Sequence, residues 1–339
     1  MLYSCTHMAT VGVKGLNFPF CSPSALHILS LYIACGPSLP PIGPPRTSTA
    51  VEAHDSVSLL RPTLVFLSVL SYHLFTVNGE PVFGVTSLAG EVFVLRWKER
   101  DEVEVYDVIT FRLQRCLTVP NACSFADMTS CEHYHCLYIG DPDVECVHRL
   151  EVDGTATQWP VNEEPFGLSV NVAHNVLVTC DVVGKIKEFS SHGDLLRELT
   201  LPGDVINPWH TIQLRSGQFI VCHGDGDDPI HRVCIISADG RHIVHTHGGQ
   251  CGSDIGLYNV PRHLAVDSDN ECVYVVDLNN RRVTLLSPTL SYIREVVSSD
   301  KLKGIPSRLY LEVQRRCLYV NDNEWKEKSM AGRVVMFND

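Results

Sequence analysis

The stretch PRHLAVDSDNECVYVVDLNNRRVTLLSPTLSYIREVV, residues 261–297, contains four short apolar segments separated by polar turns. The turns are rich in Asp, Asn, Ser and Pro, which favour tight connections between antiparallel strands. Short runs of β-branched and aromatic residues between such turns are typical of strands. The stretch therefore predicts a four-stranded antiparallel sheet that begins at a proline.

This proline-headed unit recurs along the chain with a period of roughly 40–50 residues. Matching copies start at Pro81, Pro120, Pro165, Pro208, Pro261 and Pro306. The copy from Pro120 is looser, with extra residues before its second strand. Period, strand number and turn composition together predict an all-β protein, a six-bladed β-propeller with four-stranded antiparallel blades. The predicted blades cover about residues 80–119, 120–161, 162–203, 204–250, 257–300 and 304–338.

The last unit is incomplete, because GRVVMFND ends the chain after a third strand. An unpaired strand would leave an open sheet edge. The segment SYHLFTVNGEP, just before Pro81, has the pattern of the other fourth strands, so residues 71–77 are predicted to close the last blade. The propeller then spans residues 70–338. Residues 1–62, which contain PSLPPIGPPRTSTA, are expected to lie outside it as a proline-rich, poorly ordered segment.

Composition limits the possible partners and compartments. The net charge of −12 over 339 residues repels phosphate backbones, which disfavours RNA without excluding it. The fourteen cysteines include no CxxC spacing, and many lie in apolar runs, where cysteine behaves as a small hydrophobe. These features favour a cytoplasmic location, with secretion as the alternative. No apolar run is long enough for a membrane helix, so no membrane partner is expected.

The segment YVVDLNNRRV, residues 274–283, resembles the signature of the NHL-repeat family, in which a strand ending in Asp is followed by Asn-His-Leu or a variant of it. Asp277, Asn280 and Arg282 hold signature positions. The Asp position recurs at Asp141, Asp181, Asp277 and Asp322, and is replaced by His223 and Arg96. The resemblance implies a six-bladed binding module, like the C-terminal module of tripartite-motif proteins. Members bind protein or RNA, and a minority of related propellers are metal-dependent enzymes.

A candidate binding surface follows from the repeat, because the residues after each proline enter the innermost strands and should surround one channel opening. Aromatic and arginine side chains at such a rim suit a protein interface. The candidate residues are Phe166, Trp209, His210, His223, Arg262, His263 and Arg308. For Trp209, a place wedged between blades is the competing interpretation. Arg262, Arg281, Arg282 and Arg308 could instead seed a basic face for RNA.

Three other patterns have a structural and a functional interpretation. The loop HGDGDDPIHRV, residues 223–233, begins the spacing of a calcium loop, but Pro229 and Ile230 end it, which favours a solvated turn over a cation site. The repeated aspartates either fix turns by accepting N–H bonds or form a ring of carboxylates around a cation. His242, His245 and His247 share one strand face, which favours a solvated face over a ligand set.

The sequence contains no G-x-S-x-G elbow, P-loop, H-E-x-x-H motif or dinucleotide fingerprint. We therefore predict a non-catalytic scaffold, with no cofactor and no resident metal, that binds a protein through one rim of the channel. The first alternative is a cation-dependent propeller hydrolase or lactonase, which needs ligands from at least three blades. The second is an RNA-binding NHL domain. The oligomeric state is left open.

Overall fold

The computed structural model describes residues 72–97, 102–326 and 329–338. Within these ranges the chain forms twenty-four strands in six antiparallel sheets of four strands each. A short 3₁₀ turn, Val313–Arg315, is the one helical element of the described residues. The sheets are the blades of a six-bladed β-propeller, which confirms the predicted fold class.

Each blade has four strands in order from the innermost to the outermost. Blade 1 comprises β2 (Val82–Leu88), β3 (Glu91–Arg96), β4 (Glu102–Asp107) and β5 (Leu113–Thr118). Blade 2 comprises β6 (Asp127–Cys131), β7 (Cys136–Asp141), β8 (Cys146–Glu151) and β9 (Ala156–Pro160). Blade 3 comprises β10 (Gly167–Val170), β11 (Val176–Cys180), β12 (Lys185–Phe189) and β13 (Leu195–Thr200).

The second half of the ring repeats this order. Blade 4 comprises β14 (Pro208–Gln213), β15 (Phe219–His223), β16 (His231–Ile236) and β17 (Ile243–Gly249). Blade 5 comprises β18 (Pro261–Val266), β19 (Val273–Asp277), β20 (Arg282–Leu286) and β21 (Tyr292–Val297). Blade 6 comprises β22 (Leu309–Glu312), β23 (Cys317–Lys326), β24 (Ser329–Asn338) and, as its outermost strand, β1 (Tyr72–Gly79).

The ring is closed by strands from both ends of the described chain. Strand β1 pairs antiparallel with β24, with Tyr72 opposite Phe337 and Gly79 opposite Gly332. The innermost strands contact one another in sequence, and β22 also contacts β2. The predicted closure by an N-terminal strand is therefore confirmed, and it gives β24 a partner along its free edge. Residues 1–62, the predicted proline-rich segment, lie outside the described residues.

The apolar core is divided into six clusters, each of them centred between two neighbouring blades. Between blades 5 and 6, for example, Val276 and Val283 of one sheet pack in the same cluster as Leu318 and Val335 of the next. Both faces of the second and third strands are buried in this way, which explains their nearly continuous apolar sequences. Each blade thus depends on its neighbours for most of its burial.

Strand register defines two faces of the disc. In blade 5 the innermost strand starts at Pro261 opposite Asp277, where the second strand ends, and Arg282 starts the third strand at the same level. The loops between second and third strands therefore lie on one face together with the segments that lead into each innermost strand. We refer to this face as the upper face. The remaining turns lie on the lower face.

Candidate functional site

In every blade, one residue near the upper face occupies the same register. It lies either in the innermost strand or one position before that strand. In blades 1 to 5 it lies opposite the residue that precedes the end of the second strand, as His210 does opposite Cys222, and in blade 6 Arg308 lies opposite Asn321. The six residues of this central ring are Gly84, Asp127, Gly167, His210, His263 and Arg308. Asp127 of blade 2 approaches His210 of blade 4, His263 of blade 5 and Arg308 of blade 6. Such contacts across the ring place these side chains in the channel.

Two β-bulges set the direction of the histidines. Pro208 lies opposite His223, yet His210 lies opposite Cys222, so Trp209 is an extra residue in the strand. Arg262 is the extra residue in β18 for the same reason. A bulge redirects the side chains around it. Trp209 and Arg262 stack with the guanidinium carbon 3.3 Å from the indole centroid, while the rings of His210 and His263 stack at 3.8 Å.

Two glycines leave room for the larger members of the central ring. A Cβ atom at Gly167 would lie 2.3 Å from the carbonyl oxygen of Trp209 and against His210. A Cβ atom at Gly84 would lie 2.8 Å from the Cβ of Met128. Both contacts are shorter than packed atoms allow, so these strands approach their neighbours closely only because no side chain is present. The central ring thus combines two small residues with four polar ones.

Asp127 and Arg308 form the buried ion pair of the central ring. Arg308 Nε donates to Asp127 Oδ1 at 3.0 Å, and Arg308 also donates to the Ala126 carbonyl. The second carboxylate oxygen accepts the Leu168 N–H at 2.8 Å. Burial raises the pKa of Asp127, but positive charge close by, chiefly the Arg308 guanidinium, holds it below its usual range. The carboxylate therefore stays charged and joins blades 2, 3 and 6.

The two histidines of the ring are neutral. Burial lowers the pKa of His210 to about 3 and also lowers that of His263. His210 Nε2 lies 2.9 Å from the Leu168 carbonyl, so this nitrogen carries the proton and donates it. His263 Nε2 lies 3.4 Å from Asp127 Oδ1, an ion-pair distance without the alignment of a hydrogen bond. Within the described chain, His210 Nδ1 and both His263 nitrogens accept or donate no hydrogen bond.

Among the described residues, one group could bring three metal ligands together, namely Asp127, His210 and His263, whose ligand atoms lie within 4.8 Å of one another. An imidazole nitrogen binds a metal through a lone pair in the ring plane, so two face-to-face rings cannot both point at one ion. A cation would also have to share Asp127 with the Arg308 guanidinium. The three residues would fit a cation only after the histidine rings separate.

The repeat-signature aspartates bind the loop that leads into their own blade instead of converging on the channel. Asp141 accepts N–H bonds from Cys123 and Ser124, Asp277 from Asn259, and Asp322 from Lys303 and Gly304. Asp277 also accepts bonds from Asn280 and Arg282, at 2.7 and 2.8 Å. These bonds fix the upper loops to the sheet, which is the structural interpretation of the series.

Asp181 does not occupy the position that the repeat assigned to it. In blade 3 it is Cys180 that pairs with Lys185, as Asp277 pairs with Arg282 in blade 5. Asp181 follows one residue beyond the strand and accepts the Val182 N–H at 2.7 Å. Burial raises its pKa to about 6. The prediction that Asp181 ends the second strand was wrong by one residue, because the sequence pattern does not reveal where strand pairing stops.

The residues expected at an exposed rim are buried. This is true of Phe166, Trp209, His210, His223, Arg262, His263 and Arg308. Trp209 belongs to the apolar cluster between blades 4 and 5 and meets Phe166 edge to face, which supports its place as a wedge. The expectation of exposure was wrong because bulges and close strand approach turn these side chains inward. A binding role for them stays a prediction.

The arginines that were candidates for a basic face are engaged inside the protein. Arg281 donates to the carbonyls of Leu302 and Gly304. Arg282 donates to Asp277 and to the Leu257 carbonyl. With Arg262 stacked on Trp209 and Arg308 paired with Asp127, the four guanidinium groups hold loops and blades together.

The loop at residues 223–230 is closed by its own hydrogen bonds. Asp228 Oδ2 accepts the Asp225 N–H and the Asn207 side-chain amide, both at 2.8 Å. Gly224 and Gly226 have φ values of 99° and 50°, which favour glycine. Asp227 is exposed, and burial raises the pKa of Asp225. These carboxylates stabilise a turn that is tied to the segment leading into blade 4.

His247, from the predicted solvated histidine face, instead stacks beside Tyr292.

Of the twelve exposed large aliphatic side chains among the described residues, five lie in loops on the upper face of blades 2 to 5 and five lie on the outermost strands β5, β13, β17 and β21. The upper-face residues lie in four of six loops that we together name the rim loops, residues 142–145, 161–166, 181–184, 201–207, 224–230 and 250–256. The exposed members are Val144, Val182, Val183, Ile206 and Ile255. The described turns of the lower face carry two such residues, Ile109 and Val172. Sequence reasoning missed this set, because a valine in a short loop between two strands resembles a strand residue.

Comparison with known proteins supports the fold. No family model and no curated protein matches the chain. A streptogramin B lyase structure is similar with a TM-score of 0.55 and 11% identity, covering 79% of this chain and 97% of that one. Virginiamycin B lyase from Staphylococcus aureus gives 0.53 and 9%, covering 80% and 99%. Hydrazine synthase of Kuenenia stuttgartiensis gives 0.54 and 12%, covering 77% and 97%. At these identities the likeness establishes the propeller fold alone.

No helix of the described residues is both long and apolar enough to cross a membrane.

Proposed function

We propose that this chain is a non-catalytic binding module of the NHL-repeat type that recognises a protein partner through its rim loops. The observation that carries the proposal is the set of five exposed aliphatic residues on one face of neighbouring blades. Single exposed aliphatic side chains are common, but several of them together on a soluble protein mark interaction sites. Val182 and Ile255 are the most exposed of the five, at 73% and 76%.

Backbone hydrogen bonds join several of the rim loops in pairs. The Val161 N–H donates to the Glu145 carbonyl, and the Leu201 N–H donates to the Gly184 carbonyl. The Gly224 N–H then donates to the Ile206 carbonyl. His231 Nδ1, at the end of the blade 4 loop, accepts the Val260 N–H from the segment that leads into blade 5. The exposed aliphatic side chains therefore lie in upper-face loops of neighbouring blades, several of which are hydrogen-bonded to each other.

The contents of the channel support the same proposal. The central ring is filled by a paired Asp127 and Arg308 and by two stacked neutral histidines, all of them buried. Such a centre supports the blades and leaves the loops around it as the exposed part of the upper face. RNA is a poorer candidate for this face, because the arginines that could have bound phosphate are engaged and the rim loops carry no Lys or Arg.

A cation-dependent hydrolase is the second candidate. The observation in its favour is that Asp127, His210 and His263 bring ligand-type side chains from three blades to one point. A thermal melt in EDTA, followed by addition of Ca²⁺, Mg²⁺, Mn²⁺ or Zn²⁺, tests it. A cation bound to the folded state at a hundredfold excess over its dissociation constant stabilises by about 2.7 kcal/mol. A midpoint shift that is lost in His263→Gln would favour this candidate over the binding module.

Affinity capture from cells that express the tagged full chain tests the proposed function. The double variant Val182→Ser/Ile255→Ser removes two rim side chains, and Val172→Ser/Ile109→Ser removes two side chains of similar exposure from the lower face. We expect proteins recovered with the wild type to fall by about tenfold with the first variant, since truncating central interface residues has effects of that order. The second variant should recover them as the wild type does. Equal recovery with both variants would contradict a rim interface.

We also propose a cytoplasmic location for the module. Seven of the eleven described cysteines are buried and carry free thiols. Cys222, Cys136 and Cys234 pack within the apolar clusters between blades or lie against them. Thiols used as small core side chains suit a reducing compartment. Fractionation of cells expressing the full chain, with the thiols alkylated after unfolding, tests this: oxidised thiols or a secreted product would contradict it.

A further inference from the structure

The rim loops have a charge pattern that sets them apart from the described turns of the opposite face. Their 35 positions include ten Asp and Glu residues and no Lys or Arg. The acidic residues are Asp143, Glu145, Glu163, Glu164, Asp181, Asp204, Asp225, Asp227, Asp228 and Asp254. The described lower-face turns are mixed, with both acidic residues and arginines. Negative charge is thus concentrated in these six loops, whereas the upper-face loops at 278–281 and 298–306 carry Arg281, Lys301 and Lys303.

Only part of this charge is balanced within the protein. Asp204 pairs with Arg232 at 2.6 Å, and Glu163 lies 3.7 Å from Lys185. Glu145, Asp227 and Asp254 are exposed on the surface of their loops. Burial raises the pKa of Asp181 and of Asp225, and neighbouring carboxylates, Glu164 and Asp228, raise them further. The rim carboxylates therefore repel one another, and a positive partner would relieve that repulsion.

We propose that the rim loops bind a cationic, aliphatic-rich segment of a partner protein, with lysine or arginine side chains on the acidic residues and apolar side chains against Val182, Val183, Ile206 and Ile255. The inference rests on the proposed function and specifies the chemistry of the partner. Complementary charge would guide the encounter and the register, and aliphatic contacts would supply the short-range attraction. Nucleic acid and anionic membranes are repelled by the same surface.

A synthetic peptide tests this chemistry directly. The probe is a fluorescein-labelled amphipathic peptide of lysine and leucine, and its binding to the full chain is followed by fluorescence anisotropy at low and high salt. A glutamate–leucine peptide and a lysine–glycine peptide of equal length are the comparisons. We expect the lysine–leucine peptide to bind most tightly and to weaken with salt, because screening shortens the reach of surface charge to about 10 Å at 0.1 M.

Two charge-matched variants separate the rim from general attraction to an acidic protein. The rim variant is Glu145→Gln/Glu164→Gln/Asp227→Asn/Asp254→Asn. The control is Glu132→Gln/Asp153→Asn/Asp239→Asn/Asp269→Asn, which removes the same charge from lower-face turns. The rim variant should bind the peptide roughly tenfold more weakly, as several lost surface ion pairs predict, and the control within about twofold of the wild type.

Equal weakening in the two variants, or no binding by the wild type, would overturn the inference. That failure can be told apart from a failure of the proposed function. Suppose that Val182→Ser/Ile255→Ser abolishes capture of cellular proteins but the rim charge variant binds the peptide as tightly as the wild type does. The rim is then an interface for a partner of different chemistry. If capture is also unaffected, the rim is not an interface and both proposals fail.

Discussion

Asp127, His210 and His263 are buried at the centre of the upper face, whereas Val144, Ile206 and Ile255 are exposed in loops around it. Polar groups thus lie inside and apolar groups outside, the reverse of the usual distribution. The centre tolerates this because its charges are paired and its histidines are neutral. In the rim, compensation of this kind is found at Asp204, which pairs with Arg232, and at Glu163, which lies near Lys185. The centre thus joins the blades through buried polar contacts, whereas the rim loops carry the side chains that we propose a partner covers.

The largest effect is expected from breaking ring closure, on which both regions depend. Deleting residues 1–78 removes most of β1, whereas deleting residues 1–60 leaves it intact. Several hydrogen bonds to β24 would be lost, and at roughly 1 kcal/mol each the first deletion should cost about 5 kcal/mol. Thermal and urea melts of the two truncations measure the difference. Identical melts would show that β1 does not close the ring in solution.

The next effect tests the centre alone. Arg308→Met leaves Asp127 charged and buried without its cation, which should lower the free energy of unfolding by about 3–5 kcal/mol. The double variant Asp127→Asn/Arg308→Met removes both charges and should recover much of that loss. Lys301→Met, in an exposed ion pair with Asp300, is the control and should leave stability unchanged. A small loss with Arg308→Met would mean that water reaches the central ring.

Acid should destabilise the centre through its histidines. In the unfolded chain His210 has its ordinary pKa of 6.5, whereas in the folded protein burial lowers this pKa to about 3. Stability contributed by the neutral ring is therefore complete above pH 6.5 and decreases as pH falls from 6.5 to about 3. Asp181 and Asp277, with pKa values raised to about 6 by burial, oppose this trend in the same range.

The variant His210→Gln isolates the histidine from these aspartates, because it changes neither of them. The free energy of unfolding of this variant, measured with urea, should depend less steeply on pH than that of the wild type. The two slopes should differ by about 1.4 kcal/mol per pH unit between roughly pH 6 and 4. His192→Gln, on the exposed lower face, is the matched control. If wild type and His210→Gln have parallel profiles, His210 is protonated or solvated in the folded protein.

The smallest effect distinguishes structural from exposed carboxylates in the rim. Asp228→Ala removes two hydrogen bonds that close the loop at residues 223–230 and should cost about 1–2 kcal/mol. Asp227→Ala, one residue earlier and exposed, should leave the melting midpoint unchanged. Equal costs would indicate that both residues hold a common ligand, such as a cation, and would revive that interpretation of the loop.

The sequence predicted the architecture well because the repeat is carried by buried strands and turn residues. Prolines marked five of the six innermost strands closely, and the unpaired third strand of the last unit pointed to β1. The centre was harder to predict. In blades 3 to 6 the ring residue stands two positions after the proline, as His210 follows Pro208, but in blade 2 Asp127 stands seven positions after Pro120. Because of that insertion, the repeat did not identify Asp127 as the partner of Arg308.

Exposure was the least predictable property. The bulges at Trp209 and Arg262 turn large side chains inward, and nothing in the residues 208–210 or 261–263 by themselves indicates a bulge. The exposed valines of DVVG, residues 181–184, look apolar enough to extend a strand. Their exposure follows from where pairing between β11 and β12 ends, at Cys180 and Lys185, which depends on the whole sheet.

Site-specific photo-crosslinking in cells tests whether the rim loops are the surface that binds a partner. A benzophenone side chain placed at Val182, in the rim, is compared with one at Val172, on the lower face, since the two positions are exposed by 73% and 65% in the same blade. We expect discrete crosslinked protein adducts from position 182 and few or none from position 172. Adducts from 172 alone, or equal adducts from both, would contradict the assignment of the rim loops as the binding surface.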